Sequence, residues 1–204
     1  MILISTVKEY KFPRVYIKEH ITEIMTDEQT RQNILRLLRS TNREGIEGVI
    51  DYLCKSDFFR VRCHSHHHMA GGLAQHSLEA CQFALSHSSG LSRDSVILGA
   101  LLHDVCTSHH HDAMSIHGHG RRSVGILRDI CGLRLTDEEA AAIKYHMHFR
   151  VPGVRPNRLV HLVWLADKVS AAGRVHLKAD RPGQIRHADN NDPSIHASTK
   201  TPRR

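Results

Sequence analysis

The sequence predicts an all-α protein. Apolar residues recur at three- and four-residue spacing along most of the chain, helix-capping signatures stand where those runs begin, and no run alternates as a half-buried strand would. Ile34, Leu35, Leu37 and Leu38 follow Thr26-Asp27-Glu28, and Ile46, Val49, Ile50 and Leu53 follow Thr41-Asn42, read here as an N-cap, so the first sixty residues are helical. A loop containing Arg60 to His68 leads to Gly71-Gly72, which opens a helix from about Leu73 to Ser86. Ser92-Arg93-Asp94 starts the next, which carries Val96, Ile97, Ala100, Leu101 and Leu102 and ends near Cys106.

A His-, Ser- and Gly-rich loop spans Thr107 to Gly118, and helical periodicity returns from Arg121 to Ile130, stopping at Gly132. Thr136-Asp137-Glu138-Glu139 is a capping box, with Thr at N-cap and Glu at N3, opening a helix to about His148. Pro156 lies near the first turn of a strongly apolar helix through Leu159, Val160, Leu162, Val163, Trp164 and Leu165, ending near Gly173. Beyond Arg174 the apolar pattern stops, and such a segment buries too little surface to offset its ordering entropy. The expected organisation is an N-terminal helical segment over 1–55 packing on the core, a metal-binding domain over 56–173 and a disordered basic tail over 174–204.

Composition narrows the function. A chain of 204 residues, 40% hydrophobic, sustains one well-buried core. Five scattered cysteines form no CxxC pair and follow no secretory segment, and no stretch approaches a membrane span, so a reduced cytoplasm is expected. The net charge is +7, of which the tail supplies +4 from seven Lys or Arg against three Asp, leaving an ordinary surface that does not favour dedicated nucleic-acid binding.

Nineteen histidines stand out, and position decides what they mean. His76 shares a helical face with Leu73, Ala80 and Phe83, His103 with Val96 and Ala100, and Asp104 with Ile97 and Leu101. His146 shares one with Ala142 and Ile143, and Asp167 one with Val160, Val163, Trp164 and Ala171. A carboxylate at the most apolar point of a helix is costly to desolvate unless paired or metal-bound. Singly, each has a bland reading: a core histidine is more often a packing residue, and Asp167 beside Lys168 is an ion pair. Together they bring imidazoles and carboxylates to one point, a donor set suited to Mn, Fe, Co, Ni or Zn and unlike a thiolate zinc knuckle.

The order of these residues resembles the H…HD…D signature of the HD superfamily of metal-dependent phosphohydrolases. The resemblance runs from about Ser56 to Ala171 and rests on GGLAQHS around His76, ILGALLHDV around His103, GHGRRSV around His119, LTDEEAAAIKYHM before His146 and LVWLADK around Asp167. It implies an HD-domain-like helical bundle in which His76, His103 and Asp167 hold one metal, Asp104 bridges to a second, and His119 and His146 hold that second ion. The implied activity is hydrolysis of a nucleotide or other small phosphate ester by a metal-activated hydroxide, with two divalent ions as cofactors. Arg122, Lys144, Arg150 and Lys168 are candidate phosphate partners, each with a solvated-cation alternative. The triplets His66-His67-His68 and His109-His110-His111 belong to flanking loops, with a histidine near His67 placed to contact substrate or donate a proton. Many relatives carry a lysine three residues after the doublet's Asp; here the residue is Thr107, which sets hydrolytic activity in question.

Competing readings are an exonuclease on RNA or DNA, since HHHMAGGLAQHS resembles the corresponding block of HD-type 3′ to 5′ exoribonucleases, a di-iron oxygenase of the same fold, and a non-catalytic module binding metal or nucleotide.

Overall fold

The computed structural model describes residues 27–63, 66–106, 118–148 and 157–173. The expected tail, Thr107, Arg150, Pro156 and the His109 triplet lie outside them. The described residues form helices and connecting turns with no strand, as the periodicity predicts.

Helix α1 (Asp27–Arg39) buries Thr30, Ile34 and Leu38, one stripe at four-residue spacing. Helix α2 (Ile46–Lys55) buries Ile46, Val49, Ile50 and Leu53. Its N-cap is Gly45 in the left-handed region, φ 85°, and not Thr41 or Asn42. Thr41 instead closes α1, its hydroxyl donating to the Leu38 carbonyl at 2.7 Å. The reason is tertiary: a Cβ on residue 45 would sit 2.1 Å from the Gly132 carbonyl oxygen, so the chain enters α2 pressed against another backbone.

Helix α3 (Gly72–Ser86) begins within a residue of expectation and is the most buried of the bundle, packing against α1, α4 (Arg93–Leu101) and α7 (Arg158–Ala171). The cap of α4 is Ser92, but the helix stops at Leu101, short of Cys106. Helix α5 (His119–Gly125) passes into a π-helical turn over Ile126–Ile130, closed by the Cys131 amide on the Ile126 carbonyl at 2.9 Å. Periodicity predicts regular helix there.

Helix α6 (Asp137–Tyr145) opens on the predicted capping box: the Glu139 amide donates to Thr136 Oγ at 3.2 Å and the Thr136 amide to Glu139 Oε2 at 2.8 Å. It ends at Tyr145 with His146 as its cap, three residues before the expected His148. Helix α7 is capped by Asn157, whose Oδ1 accepts from the Leu159 amide at 2.8 Å. Helices α4, α6 and α7 pack on one another and α5 lies against α6, so the C-terminal ends of α4 and α6 meet the middles of α3 and α7. The core is continuous from Ile34 to Ala166. Among the described residues no helix is long and apolar enough to cross a membrane.

Candidate metal centre

The candidate ligands come from helix faces, from turns at helix C-termini and from one helix start. His76 lies mid-α3 and Asp167 late in α7, both on faces buried by helix packing. His103 and Asp104 follow the end of α4, where the His103 Nδ1–H donates to the Ala100 carbonyl at 2.8 Å. His146 repeats the arrangement after α6, its Nδ1–H donating to the Ile143 carbonyl at 2.7 Å. His119 opens α5 beside Gly120, where a Cβ would come 2.5 Å from the Ile143 carbonyl oxygen. That close backbone approach brings His119 against the last turn of α6.

All six residues converge. His76 Nε2 lies 3.1 Å from His103 Nε2 and 3.3 Å from Asp167 Oδ1, and His103 Nε2 lies 3.8 Å from the same Asp167 oxygen. His119 Nε2 and His146 Nε2 are 2.8 Å apart. Asp104 stands between the two groups and divides its oxygens: Oδ2 faces His103 at 3.5 Å and His76 at 3.9 Å, while Oδ1 faces His119 at 3.1 Å and His146 at 3.2 Å. Donor atoms of His76, His103 and Asp167 all lie within 4.8 Å of one another, as do those of His103, Asp104 and His146.

The protonation states suit a metal. Burial pushes the fully enclosed His103 imidazole down to about 4, against the opposing pull of Asp104, which keeps it neutral. Burial would raise both carboxyls. For Asp104, His103 together with the His119 and His146 rings close to Oδ1 outweighs it and holds the group well below the carboxylate range. For Asp167, the His76 ring, with Nε2 3.3 Å from Oδ1, and the field of His103 do the same. Neutral imidazole and ionised carboxylate are the ligand forms.

The His103 Nδ1–H is given to a carbonyl, His76 Nδ1 lies 3.0 Å from Ser170 Oγ, and the two Nε2 atoms face each other across 3.1 Å. A divalent cation accepting both turns the contact into coordination, so the donor set fits a metal. The Cys63 thiol is pushed far up by burial and then by Asp104, Asp167 and Glu79, and a protonated thiol is a poor ligand.

The other candidates sit around this centre. His67 is on the loop before α3 with φ 47°, its Nε2 2.9 Å from Glu79 Oε2 and its Nδ1 3.0 Å from His66 Nδ1. Lys168 Nζ is 2.7 Å from Asp167 Oδ2 and 3.4 Å from Met147 Sδ, so Asp167 is both a candidate ligand and an ion-pair partner. Arg122 is half-buried and reaches the Cys106 thiol, while the Lys144 ammonium lies 4.7 Å over the Tyr145 ring. His66 of the candidate triplet lies with its ring centroid 4.4 Å from that of His76, and sequence reasoning passed over the buried pair Glu79 and Ser170. Glu79 was detectable by the rule that found the ligands, being a charged residue one turn from His76 on the same apolar stripe.

A helical bundle enclosing a mixed imidazole and carboxylate cluster has the architecture and donor set of an all-α domain able to hold a metal. Residues 73–172, the segment that contains all six candidate ligands, match the family model of the HD domain, which is consistent with the HD superfamily of metal-dependent phosphohydrolases. No curated protein and no solved structure matches the chain.

Proposed function

We propose that the protein hydrolyses a nucleotide or other small phosphate ester, using two divalent metal ions held by His76, His103, Asp104 and Asp167 on one side and Asp104, His119 and His146 on the other. The observation that carries this reading is the division of the Asp104 carboxylate, one oxygen toward each histidine group. When bound there, the ions supply Lewis acidity toward a phosphoryl oxygen and lower the pKa of a water at neutral pH.

The chain's own residues supply the rest. Asp104 holds the two halves in fixed relation, since its carboxylate is the one group common to both. Lys168 stands at the rim with its side chain 39% exposed, close enough to Asp167 to be positioned and open enough to meet a phosphoryl oxygen. His67, joined to His66 through the facing Nδ1 atoms, is assigned to substrate contact or proton delivery to the leaving oxygen. Arg122, held against Cys106 behind His119, is the second cation assigned to phosphate.

The test is metal analysis of untagged protein followed by hydrolysis assays with manganese, nickel, cobalt or iron against phosphomonoesters, phosphodiesters, nucleotides and short oligonucleotides. The expected result is two ions per chain, phosphate release, and loss of both in Asp104→Asn. Metal content unchanged in Asp104→Asn refutes the site. Metal binding with every ester intact refutes the hydrolase reading, and iron with dioxygen-dependent turnover replaces it by oxygenase chemistry.

A further inference from the structure

Two buried polar residues on the far side of His76, Glu79 and Ser170, are used by none of the roles above. Glu79, 3% exposed, accepts at Oε2 from two directions: Ser170 Oγ–H at 2.9 Å and His67 Nε2–H at 2.9 Å. Its other oxygen accepts from Gln75 Nε2 at 3.0 Å. Ser170, 0% exposed, has one hydroxyl proton; the alternative acceptor, the His76 carbonyl, is farther at 3.3 Å and is a weaker acceptor than a carboxylate. Once that proton points to Glu79, the Ser170 oxygen faces His76 Nδ1 as an acceptor at 3.0 Å, which requires the proton of His76 on Nδ1 and its lone pair on Nε2. Nε2 is the atom turned toward His103 and Asp167.

We propose that Glu79 is a positioning residue for the metal centre, fixing the tautomer and direction of His76 through Ser170 and the ring of His67 directly. The arrangement is a carboxylate–histidine–metal triad with a hydroxyl inserted between carboxylate and imidazole, and it raises the basicity of His76 as an outer partner does. The same oxygen ties down the loop ahead of α3. His67 adopts a left-handed backbone, φ 47°, and a Cβ at Gly72 would fall 1.9 Å from its carbonyl oxygen, so the loop is seated directly on the first turn of α3. With His67 Nε2 held by Glu79, its Nδ1 lies 3.0 Å from His66 Nδ1, which orders that ring as well.

The inference rests on the metal reading for its consequence but not for its geometry, and the experiment separates the two. Imidazole 15N–1H correlation spectra of the metal-free full chain, with His76 assigned through His76→Ala, report its tautomer. Wild type is expected to show Nδ1–H, and Ser170→Ala a shift toward Nε2–H; Nε2–H in wild type overturns the proposal. Manganese titration calorimetry then compares Glu79→Gln, Ser170→Ala, the double variant and His76→Ala, each checked for native circular dichroism. Glu79→Gln and Ser170→Ala are each expected to weaken binding about 10- to 100-fold, with the double variant within about twofold of Ser170→Ala, because both act along one chain. Additive losses, or an unchanged affinity in Glu79→Gln beside a collapsed one in His76→Ala, overturn the inference and leave the metal reading standing. An unchanged affinity in His76→Ala overturns both. If Glu79→Gln fails to fold, the Ser170→Ala spectrum and affinity decide alone.

Discussion

Arg43→Ala is expected to cost about 3 kcal/mol of stability, although Arg43 lies far from the candidate ligands in sequence. Its guanidinium donates to both oxygens of Glu139, at 2.8 and 3.1 Å, and that carboxylate is 0% exposed. Two neutral donors complete the shell, Ser95 Oγ at 2.7 Å and the Thr136 amide at 2.8 Å. Breaking a buried ion pair costs roughly 3–5 kcal/mol because the survivor is left uncompensated, and the two remaining donors place this case near the lower figure. Glu139→Gln keeps the shape and the cap; it strands only Arg43, whose side chain is 19% exposed and reaches water, for a loss of about 1 kcal/mol. The exposed pair Lys55–Asp51, with side chains 75% and 60% exposed, is the internal control and is worth less than about 0.5 kcal/mol. Urea denaturation with a chelator throughout measures all three at one metal state. A loss in Arg43→Ala no larger than in Asp51→Ala refutes the reasoning, and with it the view that this pair clamps the turn after α1 onto α6.

Gly120→Ala places a Cβ 2.5 Å from the Ile143 carbonyl oxygen and must push α5 from α6; it is expected to cost about 1–3 kcal/mol and to lower metal stoichiometry from two ions toward one, read by metal analysis. Acid should destabilise the metal-free protein: with His103 lowered to about 4, the unfolded chain binds a proton below about 6.5 that the folded chain refuses, so stability falls as pH drops from 6.5 to 4, by up to about 3 kcal/mol. Chemical denaturation across that window checks it, and His103→Gln should flatten the slope. Burial pushes the Cys81 thiol up to about 12, so alkylation by iodoacetamide at pH 8 should require unfolding; rapid labelling of Cys81 in the native protein contradicts the packing of α3.

What the sequence disclosed and what it withheld follow one physical division. A polar residue in an apolar stripe is visible to periodicity, and His76 and Asp167 were found that way because they sit within regular helix. The capping box at Thr136 was visible because both partners are local in sequence. The cap of α2 was misread because Gly45 is selected by the Gly132 backbone, far away along the chain. The π-helical turn at Ile126–Ile130 was missed because five residues are too few to shift an apolar period measurably. Ser170 escaped because a serine late in a helix carries no signal until its partners Glu79 and His76 are known.

The early ends of α4 and α6 are the departures from expectation that matter most for chemistry. Successive residues of an α-helix point about 100° apart, so adjacent residues within α4 could not both face one point. Placing His103 with Ala100 and Asp104 with Leu101 on helical faces, as periodicity suggests, sends them in different directions. The helix stops first. The His103 ring takes the Ala100 carbonyl, the backbone turns at Leu102, and both side chains of the doublet then address the centre. His146 ends α6 by the same ring-to-carbonyl bond three residues back, which brings its Nε2 to Asp104 from the opposite side. A histidine that satisfies an orphan carbonyl at a helix C-terminus has its Nδ1 proton committed and its Nε2 lone pair free, so one hydrogen bond both terminates the helix and prepares the ligand. The two oxygens of Asp104 reach two histidine groups because the residue sits in a turn between helix ends and not on a helix face.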